Sequence, residues 1–198
     1  MDALYKANLT AGSLLVPESR KVADLMIRRV TSEEWKREIE QKNILQKLNV
    51  ASSKRIAAYI RARLEMVSPD IWQMIRDGDS VLSTQANFAA TIKYSRILGD
   101  YLDLVVRDQF RKLENGLTFA IWDEFIRSCK QRDVYMGDFP STTALKMRSA
   151  VHKILVEVGY LKGSHNWHLQ RVDFEPELIE CLNRNKEAYI LKCIQVGK

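Results

Sequence analysis

No apolar run in this chain approaches the roughly 18 residues that a membrane span requires. LLV at 14–16 and LVV at 104–106 are both soon interrupted by charge. Cysteine is scarce: Cys129, Cys181 and Cys193 are widely spaced and no CxxC occurs. A disulfide framework and a zinc knuckle are therefore unsupported, and reduced, mostly buried thiols are expected. A glycine-rich phosphate loop, a GxSxG elbow and an HExxH pair are all missing. The N-terminus has an acid at Asp2 and no basic segment ahead of an apolar core, so it does not read as a signal peptide, and a cytoplasmic location is expected. His152, His165 and His168 are the only histidines. With no cysteine near them and acids only at Asp173 and Glu175, they make a weak metal set. Asp100, Asp103, Asp108, Asp123 and Glu124 recur beside lysines and arginines, as on solvated helix faces. These absences argue against an enzyme, a metal and a cofactor, and against a membrane partner.

What the chain does contain is the composition of an ordinary globular protein. It has 198 residues, 46% of them apolar and 28% charged, enough for one medium domain or two small ones. The net charge of +6 is modest but unevenly spread. Residues 20–63 carry 12 Lys/Arg against 5 Asp/Glu, and residues 141–171 carry 5 against 1. The segment between, 64–140, is acidic, with 9 against 12. Two separated basic blocks suggest an anionic partner, nucleic acid being the commonest. Lys-rich solvated helices are the plainer reading of the same charges.

Nearly every long segment reads at helical period. Helices are predicted over 17–30, with a proline in the first turn, and over 31–41, with Thr31 and Ser32 as candidate caps. A short helix in 42–47 should precede a break and a longer helix ending before Ser68-Pro69. Residues 69–77 form another, 83–113 read as one long core helix, and 118–132 and 141–158 are amphipathic. The stretch KGSHNWHLQRVDF then alternates polar and apolar residues, the mark of a small hairpin, before helix returns at 176–193. The fold expected is mainly α: a helical bundle with a helix-turn-helix in the N-terminal part and a C-terminal winged-helix-like unit carrying a small β hairpin. The expected divisions are 1–68, 69–133 and 134–198.

Each basic block contains one candidate recognition helix. In residues 42–64, Ile56, Ile60, Leu64 and Val67 form a buried stripe. Lys54, Arg55, Arg61 and Arg63 are candidate phosphate contacts, and Ser52 and Ser53 at the helix start can hold a phosphate through hydroxyls and free backbone N–H groups. Small Ala58 and Ala62 would let this helix approach a groove. In STTALKMRSAVHKILVEVGYL, residues 141–161, Met147, Val151, Ile154 and Val158 form the apolar stripe. Lys146, Arg148, Ser149, His152 and Lys153 lie on the polar side. Gly159 stops the helix, and the ribbon after it offers Lys162, His165, Asn166, His168 and Arg171. Helix, stop and hairpin in this order are those of a winged helix, which docks either nucleic acid or protein. Trp35, Trp72, Trp122 and Trp167 read as core or subdomain anchors, with base stacking a second reading for Trp167.

Four segments together resemble the BrxA family of BREX (bacteriophage exclusion) defence systems. They are LTAGSLLVPESRKVADL at 9–25, NILQKLNVASSKRIAAYIRARLE at 43–65, QANFAATIKYSRILGDYL at 85–102 and VGYL at 158–161. The likeness covers nearly the whole chain and includes no catalytic signature. It implies a small helical bacterial protein with DNA-binding helix-turn-helix character, acting beside methyltransferase, ATPase and phosphatase-like components. A likeness to RNA-binding NusB-type proteins is also associated with the family. Double-stranded DNA is thus the expected partner, bound mainly through phosphates. Docking to other BREX components and RNA binding are the alternatives.

Overall fold

The structure is a computed structural model and describes residues 3–9, 12–113, 116–163 and 167–197. It is mainly α, with one two-stranded antiparallel sheet. Helix α1 spans Val16–Ile27 and α2 spans Ser32–Lys36, continuing as a π-helical turn Arg37–Gln41. Thr31 starts α2 with a full capping box: its hydroxyl accepts from the Glu34 N–H and the Glu34 carboxylate accepts from the Thr31 N–H. Helices α3 (Val50–Leu64), α4 (Pro69–Asp77) and α5 (Ser80–Tyr94) follow. Next come α6 (Arg96–Asp100), a π stretch Tyr101–Val106 and α7 (Arg107–Lys112). The chain ends with α8 (Phe119–Arg132), α9 (Ser141–Val158), the hairpin strands β1 (Leu161–Lys162) and β2 (His168–Leu169), α10 (Pro176–Arg184) and α11 (Ala188–Ile194).

Helix α5 is the hub. It is buried at Ser83 and without a break from Gln85 to Ile92, and it packs against α1, α3, α4, α9, α10 and α11. A helix buried on nearly every side has no solvent face to keep, which is why its periodicity is blurred. Phe88 packs against Tyr160 and Phe174, tying the hub to the chain that follows α9.

Three local expectations change. Residues 43–49 form turns rather than a short helix. Asn43 and Gln46 adopt positive φ, and the Asn43 amide closes the loop on the backbone of Lys47 in both directions. A short asparagine side chain that hydrogen-bonds its own turn competes with helix. The helix that precedes α3 is therefore α2 with its π extension. The second change is at Ser95, which is extended (φ −121°, ψ 103°) and splits the predicted 83–113 helix. Beyond the break, Asp100 accepts from the hydroxyls of Tyr5 and Tyr189 and pairs with Arg96 at 2.9 Å. The third is the C-terminal helix, interrupted where Lys186 takes a positive φ.

Gly99 explains why no side chain stands at that point. A Cβ there would lie 2.1 Å from the Tyr189 hydroxyl oxygen, which Asp100 holds in place. Gly99→Ala is expected to lower stability by about 1–3 kcal/mol, as overpacking does. Urea unfolding followed by circular dichroism measures it, and an unchanged midpoint would show that Tyr189 yields freely.

The N-terminal segment is held to the rest by polar contacts. The Asp133 carboxylate accepts the N–H groups of Leu4 and Tyr5, and the Asn8 amide donates to the Tyr94 carbonyl. Leu14 is a junction: its N–H donates to Glu157 of α9, and its carbonyl accepts from Arg63 of α3 and Asn87 of α5.

Candidate nucleic-acid interface

Helix α9 starts at the three hydroxyl residues 141–143 and ends at Gly159, whose φ of 98° is the left-handed stop read from the sequence. Met147, Ala150, Val151, Ile154, Leu155 and Val158 are buried. Lys146, Ser149 and Lys153, spaced by three and four residues, form an exposed ridge. Neither lysine has an ion pair among the described residues. Tyr160 and Leu161 then return to the core. The hairpin pairs Leu161 with Leu169 and Lys162 with His168, turning the leucines inward and leaving Lys162, His168 and Arg171 exposed. His165 and Asn166 lie outside the described residues.

Arg148 behaves differently from its neighbours. Its guanidinium lies 3.9 Å from the centroid of the Phe119 ring, and its side chain is only 19% exposed. It is held by cation–π contact against α8 and is only distantly paired with Asp123, at 3.9 Å.

His152 is buried rather than a surface contact. Its Nδ1–H donates to the Arg148 carbonyl, and its ring packs between Phe119 and Trp167. The carbonyl can only accept, which assigns this tautomer. Nε2 is buried with no partner among the described residues. Burial, aided by the nearby Arg148 charge, pulls its pKa below the ordinary 6.5, and the bond to the Arg148 carbonyl only partly opposes this. Well above pH 6.5 the ring is neutral whether folded or unfolded. Below it, the unfolded chain takes the proton first, so stability is lost as pH falls. The melting temperature should therefore drop between about pH 7 and about pH 5, and His152→Gln should make that slope shallower. Equal slopes in the two proteins would mean that His152 is not desolvated as placed. Trp167, packed on His152, is an anchor for the hairpin rather than a free stacking surface.

Helix α3 presents the second basic face. Asn49 caps it, its side chain accepting from the Ser52 N–H, and Ser52 is half-buried. Ser53 is fully buried, its hydroxyl donating to the Ile39 carbonyl, so it cannot meet a phosphate. Arg63 is also fully buried. Its Nη2 donates to the Leu14 carbonyl at 2.7 Å and the Ser19 hydroxyl at 2.8 Å, and its guanidinium lies over Tyr59. Both are corrections to the expected contact set. Ser53, Ile56, Ile60, Arg63 and Val67 follow steps of three and four, so Ser53 and Arg63 stand on the buried stripe itself. Arg55 is exposed with no ion pair among the described residues. Lys54 pairs with the half-buried Glu40 at 3.3 Å, and Arg61 with the exposed Glu65 at 2.8 Å. Such pairs contribute only about 0–1 kcal/mol each, so a polyanion can replace the acid.

Two residues belong to these faces that the sequence does not mark as site residues: Phe119, and Trp35, which reads there as an anchor. Phe119 seats Arg148, and Trp35 of α2 lies beside Arg61, whose guanidinium sits 4.9 Å from its ring centroid. Both contacts join residues distant in the chain, so no spacing rule points to them.

These features define a mainly α protein with a helix, a glycine stop and a small hairpin carrying exposed cations, a second basic helix that also packs on α5, and no cluster of metal-ligating side chains among the described residues. Also among these residues, no helix is long and apolar enough to cross a membrane. Residues 3–186 match the model of the BrxA family, and the chain belongs to that family. It is 44% identical to the BREX protein BrxA of Paramagnetospirillum magneticum, across 98% of this chain and 97% of the relative. It is 30% identical to the BREX protein BrxA of Escherichia coli O9:H4, across 98% and 91%. The crystal structure of an uncharacterized protein from Magnetospirillum magneticum superposes with a TM-score of 0.90 at 44% identity, covering 97% of this chain and 98% of that one.

Proposed function

We propose that this protein is a non-enzymatic, double-stranded DNA-binding component of a BREX phage-defence system, with α9 and its hairpin acting as a winged helix. The observation that carries the reading is the α9 ridge: Lys146 and Lys153 are exposed and without ion pairs among the described residues, and the hairpin beyond Gly159 adds Lys162 and Arg171. Family membership supports the defence role, since the relatives are named as BREX proteins. Binding is electrostatic in the main: the exposed Lys146, Lys153, Lys162 and Arg171 neutralise phosphates and release condensed counterions. Sequence preference is weak, because asparagine and glutamine, the usual adenine readers, are nearly absent from both faces.

Fluorescence anisotropy of a labelled mixed-sequence duplex tests this. With about four phosphate contacts, affinity falls with salt at a log–log slope of about −4. Lys146→Ala/Arg148→Ala/Lys153→Ala weakens binding while helicity stays intact. No binding even at low salt would sink the reading, and structured RNA outcompeting duplex of equal length would redirect it to RNA. One observation favours a protein-docking role instead. Val134 and Tyr135, in the loop before α9, and Leu145 in its second turn are exposed apolar side chains.

A further inference from the structure

The exposed face of α3 does not project freely. It forms one wall of a cleft of about 790 Å3 against α2 and its π extension, lined by Trp35, Lys36, Lys54, Arg55, Ala58 and Arg61 among others. The size suits a small ligand rather than a duplex edge. Ala58 is exposed, leaving the α3 wall low, and Trp35 is half-buried across from it. Arg61 lies over the indole, 4.9 Å from its centroid, so a delocalised cation and an aromatic ring line the cleft together. Lys36, Lys54 and Arg55 rim the cleft against one acid, Glu40, which Lys54 already neutralises.

From this we infer that the α2–α3 cleft holds an unpaired nucleotide of a nucleic-acid strand. Its base lies against the Trp35–Arg61 pair and its phosphate sits among Lys54, Arg55 and Lys36. A flat π surface takes any base, and the cations follow the backbone, the combination by which single strands are bound without sequence preference. A duplex keeps its bases stacked inside and offers this cleft only phosphates. An acidic peptide would satisfy the charges but leave that pair unused. The inference rests on the proposed nucleic-acid reading and sharpens it: α9 meets duplex, while α3 takes a strand whose base is free.

The test uses the full chain, an oligothymidine of about 12 nucleotides, a duplex of equal length, and inorganic polyphosphate as a baseless polyanion. Oligothymidine binding should quench tryptophan fluorescence, and Trp35→Phe should remove most of that quench. Arg61→Lys keeps the charge but loses the planar group, and Ala58→Glu places an acid at an exposed position that folding does not need. Each should weaken oligothymidine roughly tenfold, about the worth of one stacked base, while changing duplex affinity less than about twofold. Lys146→Ala/Lys153→Ala should do the reverse. Polyphosphate displacing oligothymidine at equal charge without restoring fluorescence would overturn the stacking. Unchanged oligothymidine affinity in Arg61→Lys and Ala58→Glu would overturn the cleft while leaving duplex binding by α9 standing. Loss of duplex binding by the native protein would instead strike the wider reading.

Discussion

An Arg63→Ala variant is expected to lose about 2–5 kcal/mol of stability, whereas Arg63→Met stays within about 1 kcal/mol of the native protein. The guanidinium is wholly enclosed; among the described residues Nη2 has hydrogen-bond partners, while Nε and Nη1 have none. Burial pulls its pKa down, opposed mainly by the adjacent Tyr59. An enclosed cation with part of its hydrogen-bonding capacity unmet contributes little net stability, so exchange for an apolar group of similar length is cheap. The Leu14 carbonyl it served still accepts from Asn87. Alanine instead leaves a cavity between α3, α1 and the N-terminal segment, and cavities in packed cores are costly. Thermal unfolding of the two variants measures this. A methionine variant as unstable as the alanine one would show that the hydrogen bonds, rather than the volume, hold this junction. Arg63→Met should also keep native duplex affinity, since a buried guanidinium touches no phosphate.

Charge reversal on the α9 ridge carries the largest expected effect on binding. Lys146→Glu/Lys153→Glu should weaken duplex binding about a hundredfold, roughly 2.7 kcal/mol. Two charge-assisted contacts are lost and two repulsions gained, while the exposed positions leave the fold unaffected. The salt dependence should flatten as well, the log–log slope falling by about 2. The same reversal at Lys186 and Lys192, exposed near the C-terminus, should change affinity little. Equal losses from both pairs would mean that net charge, not the α9 ridge, governs binding.

Much of this architecture was legible because local chemistry dictates it. Gly159 ends α9, Thr31 with Glu34 opens α2, and Pro17 and Pro69 stand in first turns, each a decision made within four residues. The apolar stripe of α9 came from spacing alone. Ser53 and Arg63 were misplaced although the same spacing places them inward: seven residues separate Arg63 from Ile56, and three separate Ser53 from it. Residue polarity outweighed position, and position was correct, because the N-terminal segment and Ile39 supply acceptors that no α3 sequence contains. The Ser95 break was invisible for a similar reason. The helix on either side keeps its period, and Asp100 finds its partners in Tyr5 and Tyr189, nearly a hundred positions away in opposite directions. The Trp35–Arg61 and Phe119–Arg148 contacts are likewise tertiary pairings.

The most direct test of the central claim, that the α9 ridge lies on duplex phosphate, is lysine acetylation read by mass spectrometry with and without a saturating duplex. The account predicts that Lys146 and Lys153 become protected while Lys186 and Lys192 react as before. Equal modification of Lys146 and Lys153 in both states, with the duplex bound, would contradict it.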